Sequence, residues 1–359
     1  MANLSKNCTP NKPKKRASLD TLAQLRTEHD GGRSKFIKRQ KAKAITLGQL
    51  FPLINLDSRL KKSYWRTYHC NKLILQEGHK MTTKYCNARW CTVCNRIRMA
   101  KMINAYSIPL LKLKDLHFVT LTKPNVKGKE LSSEIDGMYR SWRAVNGNMR
   151  KRYNQKIKGI RKLECTYNAK TDSYNPHFHI LINGKQSAKL LIDLWLKRNP
   201  TADRKGQDMR KAKDGSLIEL FKYTVKGIHK GKYHPEPLDQ IYQALEGRRT
   251  YQPFGIAKMT TEDIDGIKSE EVTFRGHQDA HWSWSKSVKD WVNQDGELLT
   301  EFVIEGKLLD WIEDLTSSVN GELVEPEREQ TAIRLNNSQF KDEKWKYYSE
   351  SADDYLNSS

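Results

Sequence analysis

A chain of 359 residues has room for more than one folded unit, and this one sets 64 Lys and Arg against 42 Asp and Glu, a formal charge of +22. A surplus of that size points to a polyanionic partner, nucleic acid before an anionic membrane surface. No apolar run approaches the roughly 18 residues of a membrane span, and the opening MANLSKNCTPNKPKKRASLD lacks the apolar segment of a secretory signal. A cytoplasmic protein with no membrane contact is expected.

In chain order, residues 1–60 form the first region. Lys12, Lys14, Lys15 and Arg16 crowd its start, and Arg33, Lys35, Lys38, Arg39, Lys41 and Lys43 follow a Gly31-Gly32 break. Up to about residue 45 this composition offers too little apolar surface to offset the entropy of ordering. A flexible basic arm, with at most a short helix, is expected, either meeting nucleic acid or only solubilising the chain.

Residues 61–104 hold most of the cysteines. Cys70, Cys86, Cys91 and Cys94 are spaced C-x15-C-x4-C-x2-C. Disulfides are disfavoured in a reducing compartment, whereas a C-x2-C knuckle supplies two thiolates to a tetrahedral zinc without strain. A structural Zn²⁺ on these four is expected. His69 and His79 are alternative ligands, most plausibly in place of Cys70. Arg89, Arg96, Arg98 and Lys101 surround the knuckle and suit contact with DNA. Cys8 and Cys165 lie outside the cluster, and Cys165 reads as a buried apolar residue.

Residues 105–235 alternate between the two periods. LHFVTLT, 116–122, is short, β-branched and aromatic and closed by Pro124, so it reads as a strand. Residues 131–158 read as a helix carrying Tyr139, Trp142 and Tyr153 among Arg140, Arg143, Arg150, Lys151, Arg152, Lys156 and Lys158. That mixture suits a phosphate backbone with bases stacked beside it, or equally a solvated helix face with its aromatics in the core. IRKLECTY, 160–167, and HFHILIN, 177–183, read as strands joined through the polar NAKTDSYNP. Helices are expected at 187–198 and 216–230, with a basic loop over 199–214. The region 236–320 reads as a mainly helical extension, with candidate helices at 282–293 and 298–314. The acidic tail at 321–359 is expected to be disordered.

Within NPHFHI, His177 and His179 flank one apolar residue. On a strand their side chains share a face, and Phe178, Ile180 and Ile182 take the other. Two neutral imidazoles on one face suit Mn²⁺, Zn²⁺ or a similar ion. A third ligand should come from the neighbouring strand, and Glu164 qualifies if the register sets it across from His177 or His179 rather than Phe178. The bland alternative is a pair of exposed polar positions on a half-buried strand.

On the helix at 216–230, Glu219 and Tyr223 are spaced i,i+4, as are Lys222 and Lys226 on an adjoining face. Glu219 also fits a capping box, Ser216-x-x-Glu219. Together the pieces compose a phosphodiester chemistry. A metal acts as Lewis acid, a tyrosine oxygen attacks phosphorus, and a carboxylate one turn away serves as base for a second nucleophile. The lysines hold the flanking phosphates.

HFVTLT (117–122), NPHFHILI (175–182) and ELFKYTVK (219–226), in this order and preceded by CNARWCTVC (86–94), resemble the motifs of plasmid rolling-circle replication initiators of the HUH endonuclease superfamily, single-tyrosine class. The resemblance covers about residues 65–230. It implies an α+β fold, ferredoxin- or RRM-like, in which a central antiparallel β-sheet carries the histidines on a central strand. Helices would flank the sheet on one side, and a small zinc-binding module would precede it. It implies that His177 and His179 bind Mg²⁺ or Mn²⁺. Tyr223 would attack the origin phosphodiester, keep the 5′-phosphate and release a 3′-hydroxyl. Glu219 would activate water to end the cycle. The plasmid origin, single-stranded or in a hairpin, is the implied substrate, with host helicase and polymerase as partners. An HUH-type transposase and a non-catalytic, zinc-stabilised DNA-binding protein are the competing readings.

Overall fold

The computed structural model describes residues 33–78, 80–213, 216–221, 228–229, 232–257, 272–273 and 279–304. Among these the chain is α+β, with two five-stranded antiparallel sheets and helices against them.

The sheet that carries the histidines is ordered β6-β3-β5-β4-β9. Its strands are β3 (Leu116–Thr122), β4 (Gly159–Asn168), β5 (Ser173–Asn183), β6 (Asp208–Lys211) and β9 (Tyr251–Phe254). β3 matches the expected strand, and β4 and β5 form the expected hairpin with β5 in the middle. The ladder needs close approach at its open end. A Cβ on Gly159 would sit 1.9 Å from the Leu181 carbonyl oxygen, so only glycine fits there.

Alternation divides this sheet sharply. Val119, Leu121, Leu163, Phe178, Ile180 and Ile182 face the helices α4 (Gly128–Arg152) and α5 (Lys185–Arg198) in one apolar core. α4 supplies Leu131, Ile135, Met138, Trp142, Val145 and Met149, the 4,3,4,3,4 spacing of one helical stripe. Arg161 is the polar exception on this face. Its guanidinium lies 4.5 Å from the Phe178 ring centre and 4.7 Å from that of Tyr139, a cation–π arrangement. α4 therefore packs on the side of the sheet away from the histidines, and Trp142 belongs to the core. Tyr153, just past its end, is exposed.

The opposite face carries the histidines. Its far end is covered by α3 (Thr92–Leu111) and α6 (Ser216–Phe221), where Met102, Tyr106, Leu110, Leu220 and Phe221 pack on Phe118, Ile160 and Leu181. Helices thus lie on both faces rather than on one.

The second sheet is ordered β10-β2-β1-β11-β12, from β1 (Leu73–Glu77), β2 (Lys80–Thr83), β10 (Val272–Thr273), β11 (Ala280–Ser285) and β12 (Asp290–Val292). It packs with α1 (Arg33–Ile54), α2 (Lys61–Tyr68) and α7 (Pro235–Leu245), burying Phe36, Leu50, Tyr64, Ile74, Trp282 and Trp291 together. Three expectations are corrected here. Residues 1–32 of the basic arm lie outside the described residues, and Arg33–Ile54 is a long helix rather than flexible arm, because Phe36, Ala42, Leu47, Leu50 and Leu53 give it a buried stripe. The region from 280 to 292 is a β-hairpin, not helix: β11 and β12 are joined by a turn over 286–289, and Ala280, Trp282 and Trp284 alternate onto the buried face. The extension is not mainly helical among the described residues, and through β9 it also completes the histidine sheet. Residues 305–359 lie outside the described residues, and with them the rest of the second candidate helix and the acidic tail. A short pair, β7 (Ile228–His229) and β8 (Lys232–Tyr233), precedes α7, so the helix expected over 216–230 is described only as α6 and does not reach Ile228, which is strand.

Candidate active site

The β4–β5 register sets Glu164 opposite His177 and Lys162 opposite His179. The β3–β5 register sets Thr122 opposite His177 and Thr120 opposite His179. Directly opposed residues share a face, so Glu164 meets the condition placed on it by the sequence. One ligand atom from each of Glu164, His177 and His179 lies within 4.8 Å of the others.

The geometry fits a divalent cation. The two imidazole Nε2 atoms are 3.1 Å apart, and Glu164 Oε2 lies 3.7 Å from His179 Nε2. Adjacent ligands about 2.1 Å from an octahedral ion stand about 3.0 Å apart, close to the first edge and shorter than the second. The backbone oxygen of Asn175, an acceptor only, lies 3.0 Å from His177 Nδ1. It holds the ring proton there and leaves Nε2 as a lone pair facing the site. Thr120 Oγ1, 3.2 Å from His179 Nδ1, can donate or accept and so permits either tautomer.

Electrostatics keep Glu164 and His179 in ligating form at neutral pH. Burial, then the neighbouring His177, pulls His179 down to about 4, against an opposing pull from Glu164. Burial alone would raise the Glu164 carboxyl. Lys162 and the two histidines reverse this and hold it below the usual carboxylate range. Lys162, fully buried, donates to Glu164 Oε2 at 2.8 Å. Sequence reasoning missed Lys162, although its i,i+2 spacing from Glu164 places it on the histidine face.

Glu219 lies in the first turn of α6, with its carboxylate held by Arg210 Nη2 at 2.7 and 2.8 Å. Arg210 stands on β6 across from Phe118, over whose ring its guanidinium sits at 4.6 Å. In place of the reciprocal capping box, Ser216 Oγ accepts from the Lys213 backbone N–H. Tyr223, Lys222 and Lys226 lie outside the described residues.

The four cysteines converge at the N-terminus of α3. Sγ–Sγ distances are 3.5 Å for Cys70–Cys94 and 3.6 Å for both Cys86–Cys94 and Cys70–Cys91. A disulfide would close to about 2.05 Å, whereas thiolates at 2.3 Å around a tetrahedral zinc stand about 3.8 Å apart. Burial pushes the Cys70 and Cys94 thiols up. Cys86 goes the other way: burial opposes it, but hydrogen bonds from the other three thiols favour its thiolate. Cys91 Sγ accepts from the Cys94 N–H as the helix cap, and the helix N-terminus favours negative sulfur. His69 stacks on Trp65 and is not in the group; His79 lies outside the described residues. Cys165 is buried in the apolar core, as its sequence position suggested.

The knuckle is joined to the histidine domain. Arg89 donates to the backbone oxygens of Leu245 and Arg248, and Trp90 packs 5.4 Å from Tyr242 on α7. No helix among the described residues is long and apolar enough to cross a membrane.

A family model described as a replication protein matches residues 78–188, from β2 and the knuckle through the histidine motif into α5. Among curated proteins, "Protein rep" of Staphylococcus aureus is 35% identical over 162 residues, covering 39% of this chain and 69% of that protein. "Protein rep" of Bacillus amyloliquefaciens is 29% identical over 243 residues, covering 56% and 70%. "Protein rep" of a Bacillus species is 31% identical over 227 residues, covering 59% and 66%. No solved structure matches the chain.

Proposed function

The chain belongs to the family of plasmid replication initiators, proteins that act on DNA, and from that premise we propose that it starts rolling-circle replication by nicking one origin strand through an HUH-type, metal-dependent transesterification. The observation that carries this reading is the convergence of Glu164, His177 and His179 on one sheet face. A bound Mg²⁺ or Mn²⁺ supplies Lewis acidity toward a phosphodiester oxygen.

The chain's own groups do the rest. Glu164 and the two Nε2 lone pairs would hold that ion, and their position on the sheet face sets where it would sit. The phenolic oxygen of Tyr223 attacks phosphorus as the P–O3′ bond breaks, and its proton passes through solvent to the leaving 3′-oxygen. A 3′-hydroxyl leaves for a host polymerase, and the 5′-phosphate stays on the tyrosine. Lys222 and Lys226 hold flanking phosphates. Glu219 takes a proton from the second nucleophile, water or a 3′-hydroxyl, as it displaces the tyrosine. The cysteine group holds a structural Zn²⁺ that stabilises the knuckle, while the +22 charge draws the chain to DNA. The host helicase belongs to the same proposal.

The test is cleavage of a labelled single strand carrying the origin, with and without Mn²⁺. Wild type should cut only with metal. His177→Ala should lose about 100-fold or more in rate while binding the strand nearly as well. Equal loss of cutting and binding, or cutting without metal, would overturn the reading.

A further inference from the structure

Lys162 is the residue of the histidine face that the nicking chemistry leaves without a task. It is opposite His179, two positions from Glu164, and its side chain is 0% exposed. A buried ammonium needs a counter-charge, and it finds one in Glu164 Oε2 at 2.8 Å, the oxygen that also approaches His179 Nε2. Two neutral imidazoles, one carboxylate and one ammonium sum to zero formal charge. Without Lys162 the same ligand set would carry −1.

We propose that Lys162 is an internal counter-cation that holds Glu164 in place when the site lacks metal and competes with the divalent ion for that carboxylate, keeping the metal weakly held and exchangeable. This rests on the metal reading of the triad. Two consequences of the geometry point the same way. An arriving divalent ion meets a fixed positive charge that cannot withdraw to solvent, so the bound state is opposed. The metal-free state, by contrast, is stabilised, because Glu164 is never left as an unpaired buried carboxylate. Both weaken metal binding, and neither needs Lys162 to touch DNA. It is a positioning residue, and its effect is read in affinity and stability rather than in rate alone.

The experiment is calorimetric titration of the full chain with Mn²⁺. Wild type, Lys162→Met, Lys162→Gln and Lys162→Arg are compared, with His177→Ala as control, and melting temperatures are taken with and without Mn²⁺. Lys162→Met and Lys162→Gln should bind Mn²⁺ about tenfold or more tightly than wild type. They should also melt lower without metal and recover more on adding it. Lys162→Arg, which keeps the cation, should resemble wild type. Triad-dependent binding that is unchanged or weaker in both Lys162→Met and Lys162→Gln overturns this inference alone. Wild-type binding that is absent, or that His177→Ala leaves untouched, overturns the metal reading and this inference with it.

Discussion

Trp291 donates its indole N–H to the backbone oxygen of Asn71 at 2.8 Å, a bond between residues 220 positions apart. The ring is fully buried, edge-on to Trp284 at 4.8 Å and to Phe36 at 6.4 Å. The start of α1, the turn before β1 and the strand β12 therefore share one core, although the whole histidine domain lies between them in sequence. Trp291→Ala should cost about 3–5 kcal/mol in chemical denaturation. Trp291→Phe should keep much of the packing and lose less. A change under about 1 kcal/mol for the alanine variant would mean that the two segments do not support one another.

The cysteine group predicts metal stoichiometry. Elemental analysis of the purified chain should find about one equivalent of zinc, and Cys94→Ser should lower it. Because Trp90 lies against both the cysteine group and the core around Tyr64, stripping the zinc should reduce thermal stability. A zinc-free chain of unchanged stability would reduce the group to buried thiols.

Asp136 and Arg248 pair across α4 and the turn after α7 at 2.8 and 2.9 Å. The Arg248 guanidinium holds the Asp136 carboxyl below its usual value. A depressed folded-state value contributes stability that is complete above the unfolded value, near 3.9. That contribution is lost as pH falls through the folded value. Arg248→Ala should therefore lower stability at neutral pH and flatten the acid limb of the stability curve below about pH 4. Asp136 is half exposed, so the effect is small and should shrink further in high salt. An unaltered acid limb would remove the pair from the account.

Arg210 holds Glu219 in the first turn of α6, four positions before Tyr223 in sequence. If Glu219 is the base that ends the cycle, Glu219→Ala should still form the covalent adduct with DNA but fail to release it by hydrolysis. Thermal stability should change little, since the carboxylate is exposed and bonded to another exposed group. A helix-capping role would produce the reverse: lower stability with normal turnover. Pulse-chase of labelled adduct separates the two.

The His-Phe-His alternation made the histidine face legible, because a strand's period of two leaves no other arrangement. β3 was legible from its β-branched and aromatic run ending at Pro124. Glu164 was legible only as a condition on register, which the sequence does not encode locally. Lys162 was missed because a lysine on a strand reads as solvent-exposed, although its spacing from Glu164 was in view. The helix from Arg33 was hidden by its basic residues. Lys43 is buried there, donating to the backbone oxygens of Tyr68 and Cys70 at 2.5 and 2.6 Å, and burial pulls it down to about 8. WSWS, 282–285, carries a period of two, yet falls at the start of the candidate helix 282–293. Its partner β1 lies some two hundred positions away in sequence, and no local pattern announces a pairing of that range.

The most direct measurement of the central claim is the protein–DNA adduct itself. The full chain and Tyr223→Phe are incubated with Mn²⁺ and a labelled single strand bearing the plasmid origin, and the products are separated on a denaturing gel. Transesterification predicts a label that migrates with wild-type protein, accompanied by a free 3′-hydroxyl fragment, and neither product from Tyr223→Phe. Cleavage by Tyr223→Phe, or tight binding by wild type with no adduct, would contradict it.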